Sequence, residues 1–174
     1  DAIAVRPRIL TDVSRVDGAV ERFGRKLRLP VMLAPVGSLE CFHPGAAAEI
    51  VRACGEFGIA HMMSSVTQPG LEAVAEAAPD ALRIFQLYVR GDEAFVEDHV
   101  ERAIKNGFSA FCFTVDTAHY SRRERDLAKR YQTVGRRRVA GRKFQMELDW
   151  KAIDRIKKKY KIPLIIKGVA PAED

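Results

Sequence analysis

The chain has 174 residues, 47% of them hydrophobic and 30% charged, with a formal net charge of +6. That apolar share excludes a disordered chain, and the length suits one soluble domain with a real core. No apolar run approaches the roughly 18 residues of a membrane helix, and residues 1–10 lack the basic, apolar, small-residue order of a secretory signal.

Taken in chain order, short apolar runs recur at residues 30–34, 59–63, 83–89, 110–115 and 162–166. Each is nearly continuous rather than alternating, the pattern of strands buried on both faces of a parallel sheet. Helical periodicity fills the gaps. Residues 44–57 place Ile50, Val51, Cys54 and Phe57 on one face, with Gly58 as a stop. Residues 70–78 form a short helix ended by Pro79. Residues 92–106 put Phe95, Val96, Val100, Ala103 and Ile104 on one stripe, and Gly107 ends it. Asp149 caps a last helix carrying Trp150, Ile153 and Ile156, with lysines in its final turns.

This β-α alternation predicts an α/β fold with right-handed crossovers and a single domain over residues 1–174. The spacing of strand starts suits either a (β/α)8 barrel or a doubly wound open sheet, and periodicity alone does not choose between them. Cys41, Cys54 and Cys112 are odd in number and scattered, which argues against a disulfide framework or a metal site and for a reducing, cytoplasmic setting.

In parallel α/β folds the ligand site lies at the carboxyl ends of the strands. Those ends here are polar. The first run leads into Ala34-Pro35-Val36-Gly37 and the second into Ser64-Ser65. The third holds Gln86 and Tyr88, the fourth ends Thr114-Val115-Asp116, and the fifth ends Lys167-Gly168. Gln86 and Tyr88 are two apart and share a face, as do Thr114 and Asp116. One rim carrying Ser, Gln, Tyr, Thr, Asp and Lys predicts a site for a polar, flat or anionic ligand. None of the four histidines, His43, His61, His99 and His119, stands out as a catalyst, although His119 lies nearest the rim.

A set of motifs gives these residues a family. Pro7-Arg8-Ile9-Leu10-Thr11-Asp12-Val13-Ser14, Met32-Leu33-Ala34-Pro35-Val36-Gly37, Met63-Ser64-Ser65, Phe85-Gln86-Leu87-Tyr88, Thr114-Val115-Asp116-Thr117, Arg122-Arg123-Glu124-Arg125-Asp126 and Leu164-Ile165-Ile166-Lys167-Gly168 follow one another in order. Together they resemble the FMN-dependent α-hydroxy acid oxidising family, which includes glycolate oxidase, lactate oxidase, mandelate dehydrogenase and the flavin domain of flavocytochrome b2. The resemblance runs from about Pro7 to Asp174.

It implies a (β/α)8 TIM barrel, of which this chain supplies about the first five βα units. It implies FMN as cofactor, a small L-2-hydroxy acid such as lactate or glycolate as substrate, and flavin reoxidation by oxygen, a quinone or a cytochrome. A cytoplasmic homotetramer is the implied assembly. Ala34, Pro35, Val36 and Gly37 correspond to backbone lying against the flavin. Ser64, Gln86 and Thr114 correspond to residues bonding its polar edge, and Lys167 to the cation that stabilises reduced flavin. Tyr88 corresponds to a substrate-facing hydroxyl and Arg123 to a carboxylate-holding guanidinium. Asp116 corresponds to the carboxylate that pairs with the catalytic histidine.

Two positions depart from the family pattern: His43-Pro44-Gly45-Ala46-Ala47 replaces His-Pro-x-Gly-Glu, and Ser121 replaces a loop glycine before Arg123. The family's His-Gly-Gly-Arg-like segment, which carries the base and the main substrate arginine, lies outside this chain. The alternative expectation is therefore a catalytically incomplete fragment or pseudo-enzyme half-barrel that acts only with a partner chain supplying the remaining half.

Residues 121–148 form a long basic loop after the fourth strand, carrying Arg122, Arg123, Arg125, Lys129, Arg130, Arg136, Arg137, Arg138, Arg142 and Lys143. With only Tyr131 and Phe144 as aromatics, a nucleic-acid partner is not expected. Peripheral attachment to an anionic membrane surface is the weaker alternative to a solvated loop.

Overall fold

The computed structural model describes residues 4–119, 122–131 and 143–173. A hairpin comes first: β1 (Val20–Arg22) pairs antiparallel with β2 (Arg25–Leu27). Five parallel strands follow, β3 (Met32–Leu33), β4 (Ala60–Ser64), β5 (Arg83–Tyr88), β6 (Ala110–Thr114) and β7 (Leu164–Lys167). Between them lie α1 (Ala46–Phe57), α2 (Leu71–Ala77), α3 (Glu93–Lys105), α4 (Glu124–Ala128), α5 (Lys143–Met146) and α6 (Trp150–Lys159). The strands lie side by side in sequence order, β3-β4-β5-β6-β7. A doubly wound sheet reverses its strand order at a switch point. No reversal occurs here, and the curled sheet is part of a barrel.

Local chemistry explains where the helices begin and end. The Asp92 carboxylate accepts from Phe95 N at 3.1 Å, and that of Asp149 from Ala152 N at 2.9 Å, so each satisfies a backbone donor orphaned at a helix start. Gly58, in the left-handed region, closes α1 with its N–H on Cys54 O at 2.9 Å. Lys157, Lys158 and Lys159 occupy the last turn of α6, the negative end of its dipole.

Two apolar layers enclose the sheet. On one face Met63, Phe85, Leu87, Phe111 and Phe113 pack against Val51, Val74, Val96, Val100, Ile153 and Ile156 of the helices. On the other, Ala60, Met62, Ile84, Ala110 and Cys112 gather with Leu27 and Leu82. The hairpin thus plugs the amino-terminal ends of the strands. Arg28 N donates to Gly58 O at 2.7 Å, and Arg25 Nη1 to Asp80 O at 2.6 Å. Buried Arg83 stitches the same end: it donates to Ala78 O, Asn106 O and Gly107 O.

Several expectations need correction. Only β4, β5 and β6 are buried on both faces. Val31, Met32 and Leu33 stay 42–47% exposed, because β3 is an edge strand with a neighbour on one side. Phe57 and Ile104 turn outward from their helices, and the Arg28 guanidinium lies 4.6 Å from the Phe57 ring centroid. Trp150 is likewise exposed. The described part of the long basic segment contains α4 and α5. Ser121, Arg136, Arg137, Arg138 and Arg142 lie outside the described residues.

His61 sits in β4 facing the helices, 2% exposed, and its Nδ1 has no partner among the described residues. Burial pulls its pKa down to about 4. The unfolded chain, with an ordinary histidine near 6.5, therefore binds the proton more tightly. Stability is full above about pH 6.5 and falls as pH drops toward 4, by roughly 3 kcal/mol across that window. Urea melts between pH 4 and 7 are expected to show this slope, and His61→Leu is expected to flatten it. An unchanged slope in the variant refutes the assignment.

Candidate functional site at the carboxyl rim

Register converts the polar positions into levels on one face. Met62, Ile84 and Ala110 are paired neighbours. Two residues on come Ser64, Gln86, Cys112 and Ile165, and two further on Tyr88, Thr114 and Lys167. Since alternate residues share a face, these rows stack on the side opposite the helices. Apolar side chains fill the lower row, and polarity rises toward the carboxyl ends.

Above the uppermost row opens a hollow of about 750 Å³. Pro35, Val36, Gly37, Tyr88, Asp116, Arg123 and Lys167 line it together. Seven of the eleven predicted site residues thus meet at one rim. Ser64, Gln86 and Thr114 lie beneath it, each at most 1% exposed. Gln86 Nε2 donates to Thr114 Oγ1 at 2.7 Å, while Gln86 Oε1 is buried with no partner among the described residues. A buried amide with one unmet acceptor calls for a donor. Ser64 Oγ accepts from Val66 N at 3.4 Å and so shapes the turn after β4. Ala34 is exposed and does not line the hollow.

Lys167 Nζ lies 3.8 Å from Asp116 Oδ1, with both side chains partly exposed. Gly168, at φ +109, makes room for that carboxylate: an added Cβ there would stand 2.6 Å from Asp116 Cβ and Cγ. Gly37 is needed for a different contact from the one its sequence context implies. Its missing Cβ faces Val66 Cγ2 at 2.7 Å, so the glycine lets two loops pack. Ser38 N to Val66 O at 2.9 Å and Leu39 N to Thr67 Oγ1 at 3.1 Å hold the same loops together. Arg123 precedes α4, and its Nη1 is 3.9 Å from Asp126 Oδ2.

Sequence reasoning missed Arg90, Cys41, Phe42 and Asp126 in the lining. Arg90 had a signal: it stands two residues beyond Tyr88 and so shares its face. The others arrive on loops, whose course no periodicity predicts. His119 lines the hollow, whereas His43 bonds Glu49 outside and His99 bonds Phe95 O at 2.8 Å. Among the described residues no group of three or more His, Cys, Asp or Glu is arranged to hold a metal.

The three thiols separate cleanly. Cys41 is exposed at the hollow, while burial raises the pKa of Cys54 and pushes that of Cys112 up to about 11. At pH 8 only about 0.1% of a thiol with such a pKa is thiolate. One thiol per chain is therefore expected to react promptly with a maleimide, and all three after denaturation. Prompt labelling of Cys112 in the native state refutes the packing described for β6.

Comparison with known proteins agrees with this geometry. A family model described as FMN-dependent dehydrogenase matches residues 1–174. Glycolate oxidase 5 of Oryza sativa subsp. japonica is 32% identical over 194 residues, covering 99% of this chain and 52% of that protein. Glycolate oxidase of Spinacia oleracea is 31% identical with the same coverage. A mandelate oxidase variant solved with a C4a-OH-FMN adduct superposes with a TM-score of 0.85 at 28% identity, over 98% of this chain and 51% of that one. A flavocytochrome b2 variant with pyruvate bound gives 0.86 at 30% identity, over 97% and 44%. The chain spans about half the length of the curated relatives it matches. On the strength of the family match along its whole length and the parallel half-barrel it forms, the chain belongs to the FMN-dependent dehydrogenase family.

Proposed function

We propose that this chain forms the first five strands of an FMN-dependent α/β barrel that oxidises a small L-2-hydroxy acid to its 2-oxo acid. The observation that carries this reading is one face of the sheet. It presents the buried Gln86–Thr114 pair with its unmet acceptor, and above it Tyr88, Asp116 and Lys167 around a single hollow. These residues fit FMN. Gln86 Oε1 lacks a donor that a flavin ring N–H would supply, and Lys167 would offer a cation to a ring that becomes negative on reduction.

When bound, FMN accepts two electrons and passes them on to oxygen, a quinone or a cytochrome. The chain's own residues do the rest. Arg123 holds the substrate carboxylate, and the Tyr88 hydroxyl orients the reacting end. Asp116 orients and charges the proton-accepting histidine, which the family resemblance places in the other half of the barrel. A cytoplasmic homotetramer is the assembly this reading carries.

A second reading has one observation in its favour. Val31, Met32 and Leu33 remain exposed on β3, and β7 has no outer neighbour among the described residues. Open apolar edges of this kind demand covering. On this reading the chain acts only with a partner that completes the barrel. Purification of the full-length protein tests both. A yellow protein that releases one FMN per active unit and reduces it with a 2-hydroxy acid supports the first. Failure to take up added FMN refutes it. Turnover by a single species of this chain's mass refutes the second.

A further inference from the structure

One ion pair lies within the hollow beside the group assigned to the substrate carboxylate. Arg123 and Asp126 both line the hollow, and Arg123 Nη1 stands 3.9 Å from Asp126 Oδ2. Asp126 is the more sheltered partner: its side chain is 29% exposed, against 64% for Arg123. The two belong to one helical turn. Arg123 precedes α4, and its carbonyl accepts from Leu127 N at 3.0 Å. The far end of α4 is closed by backbone bonds as well. Arg130 N donates to Leu127 O at 3.0 Å and Tyr131 N to Asp126 O at 2.9 Å, with Arg130 in the left-handed region at φ +48. This double bond pattern is a Schellman cap, with an arginine where glycine is usual. The backbone that carries Asp126 is thus fixed at both ends, whereas a long arginine side chain has many rotamers to lose.

A carboxylate in a hollow that takes anions repels them. Its place beside the guanidinium gives it a compensating task. Resting on the functional reading above, we propose that Asp126 is a positioning residue, which holds one end of the Arg123 guanidinium so that the other edge meets the substrate carboxylate. The contact at Nη1 engages one corner of the planar fork and leaves the Nε and Nη2 edge for two parallel N–H bonds. Arg123 then gives up less rotamer freedom when the substrate arrives. The gain is made in binding, so it falls on KM rather than on kcat.

The test uses the FMN-loaded full-length protein, with pyruvate and glyoxylate as ligands followed through the visible flavin spectrum. Asp126→Asn is nearly isosteric, and α4 contains no buried residue, so the variant keeps its fold and its FMN. It raises both Kd values about three- to tenfold, the range of a partly exposed ion pair. KM for L-lactate and glycolate rises by the same factor, while kcat moves less than about twofold. Asp126→Glu keeps the charge and returns Kd to within about twofold of the parent. In an Arg123→Met background, Asp126→Asn no longer weakens either ligand, and kcat/KM follows the same cycle. Equal weakening in both backgrounds overturns the proposal, since a merely structural carboxylate acts without regard to Arg123. Loss of FMN from Asp126→Asn overturns it for the same reason. Unchanged or tighter binding by Asp126→Asn also overturns it, as the mark of a carboxylate that only repels the substrate. These results leave the functional reading standing. A parent protein that takes up no FMN, or that binds neither ligand once loaded, sinks that reading and this proposal with it.

Discussion

Phe111→Ala in the full-length protein is expected to lower the free energy of unfolding by about 3–5 kcal/mol. Phe111 is fully buried in β6, between β5 and β7. Its ring meets Phe113 at 5.0 Å and Phe85 at 5.7 Å between centroids, and Phe85 continues the cluster to Phe108 at 5.8 Å. Removing this ring opens a cavity at the meeting point of the sheet and its helices, where neighbours held by backbone pairing on both sides cannot collapse into the space. Phe111→Leu keeps most of the volume and is expected to cost roughly 1–1.5 kcal/mol. Urea unfolding of the two variants checks the pair. A loss below about 1 kcal/mol for the alanine shows that the ring is not a keystone of this layer.

That layer is the part of the molecule most legible in the sequence. Runs at 59–63, 83–89 and 110–115 are continuous because both faces of β4, β5 and β6 are covered, and burial leaves a direct mark on composition. Asp92, Gly58 and Asp149 mark helix ends through chemistry that acts over three or four residues. The hairpin β1–β2 left no comparable mark. Its turn places Phe23 and Gly24 at positive φ without an Asn-Gly pair, and its strands are only three residues long. The edge strand β3 is exposed despite its apolar run for a related reason: such a run shows that a segment is to be covered, without showing by what. At the site, strand parity placed Tyr88, Asp116 and Lys167 on one rim, because a period of two is a property of the chain itself. Arg90 follows from the same parity. Cys41, Phe42 and Asp126 reach the hollow along loops whose path is set by contacts distant in sequence, such as Ser38 N on Val66 O. The five strands in sequence order also distinguish a barrel from a doubly wound sheet only once pairing is known.

Asp116→Asn is expected to lower kcat/KM of the FMN-loaded full-length protein by about two to four orders of magnitude, while FMN content stays unchanged. The substitution is nearly isosteric, so the room that Gly168 leaves beside this side chain stays filled. Only the charge is lost. In the proposed site the carboxylate stabilises the imidazolium that forms when the histidine takes the substrate proton, and an amide offers that cation no counter-charge. The sign of the pH effect follows. A neighbouring carboxylate raises the histidine pKa, and the base must be neutral to act. Removing the carboxylate therefore moves the acid limb of the kcat/KM profile to lower pH while the plateau falls. This limb separates the assignment from a simpler one, in which Asp116 serves only as the counter-ion of Lys167 at 3.8 Å. A carboxylate with that lesser task, once lost, leaves the acid limb in place and costs less than about tenfold, as expected for a partly exposed ion pair. An unmoved limb with a small rate loss overturns the catalytic role of Asp116, and a displaced limb with a large loss establishes it.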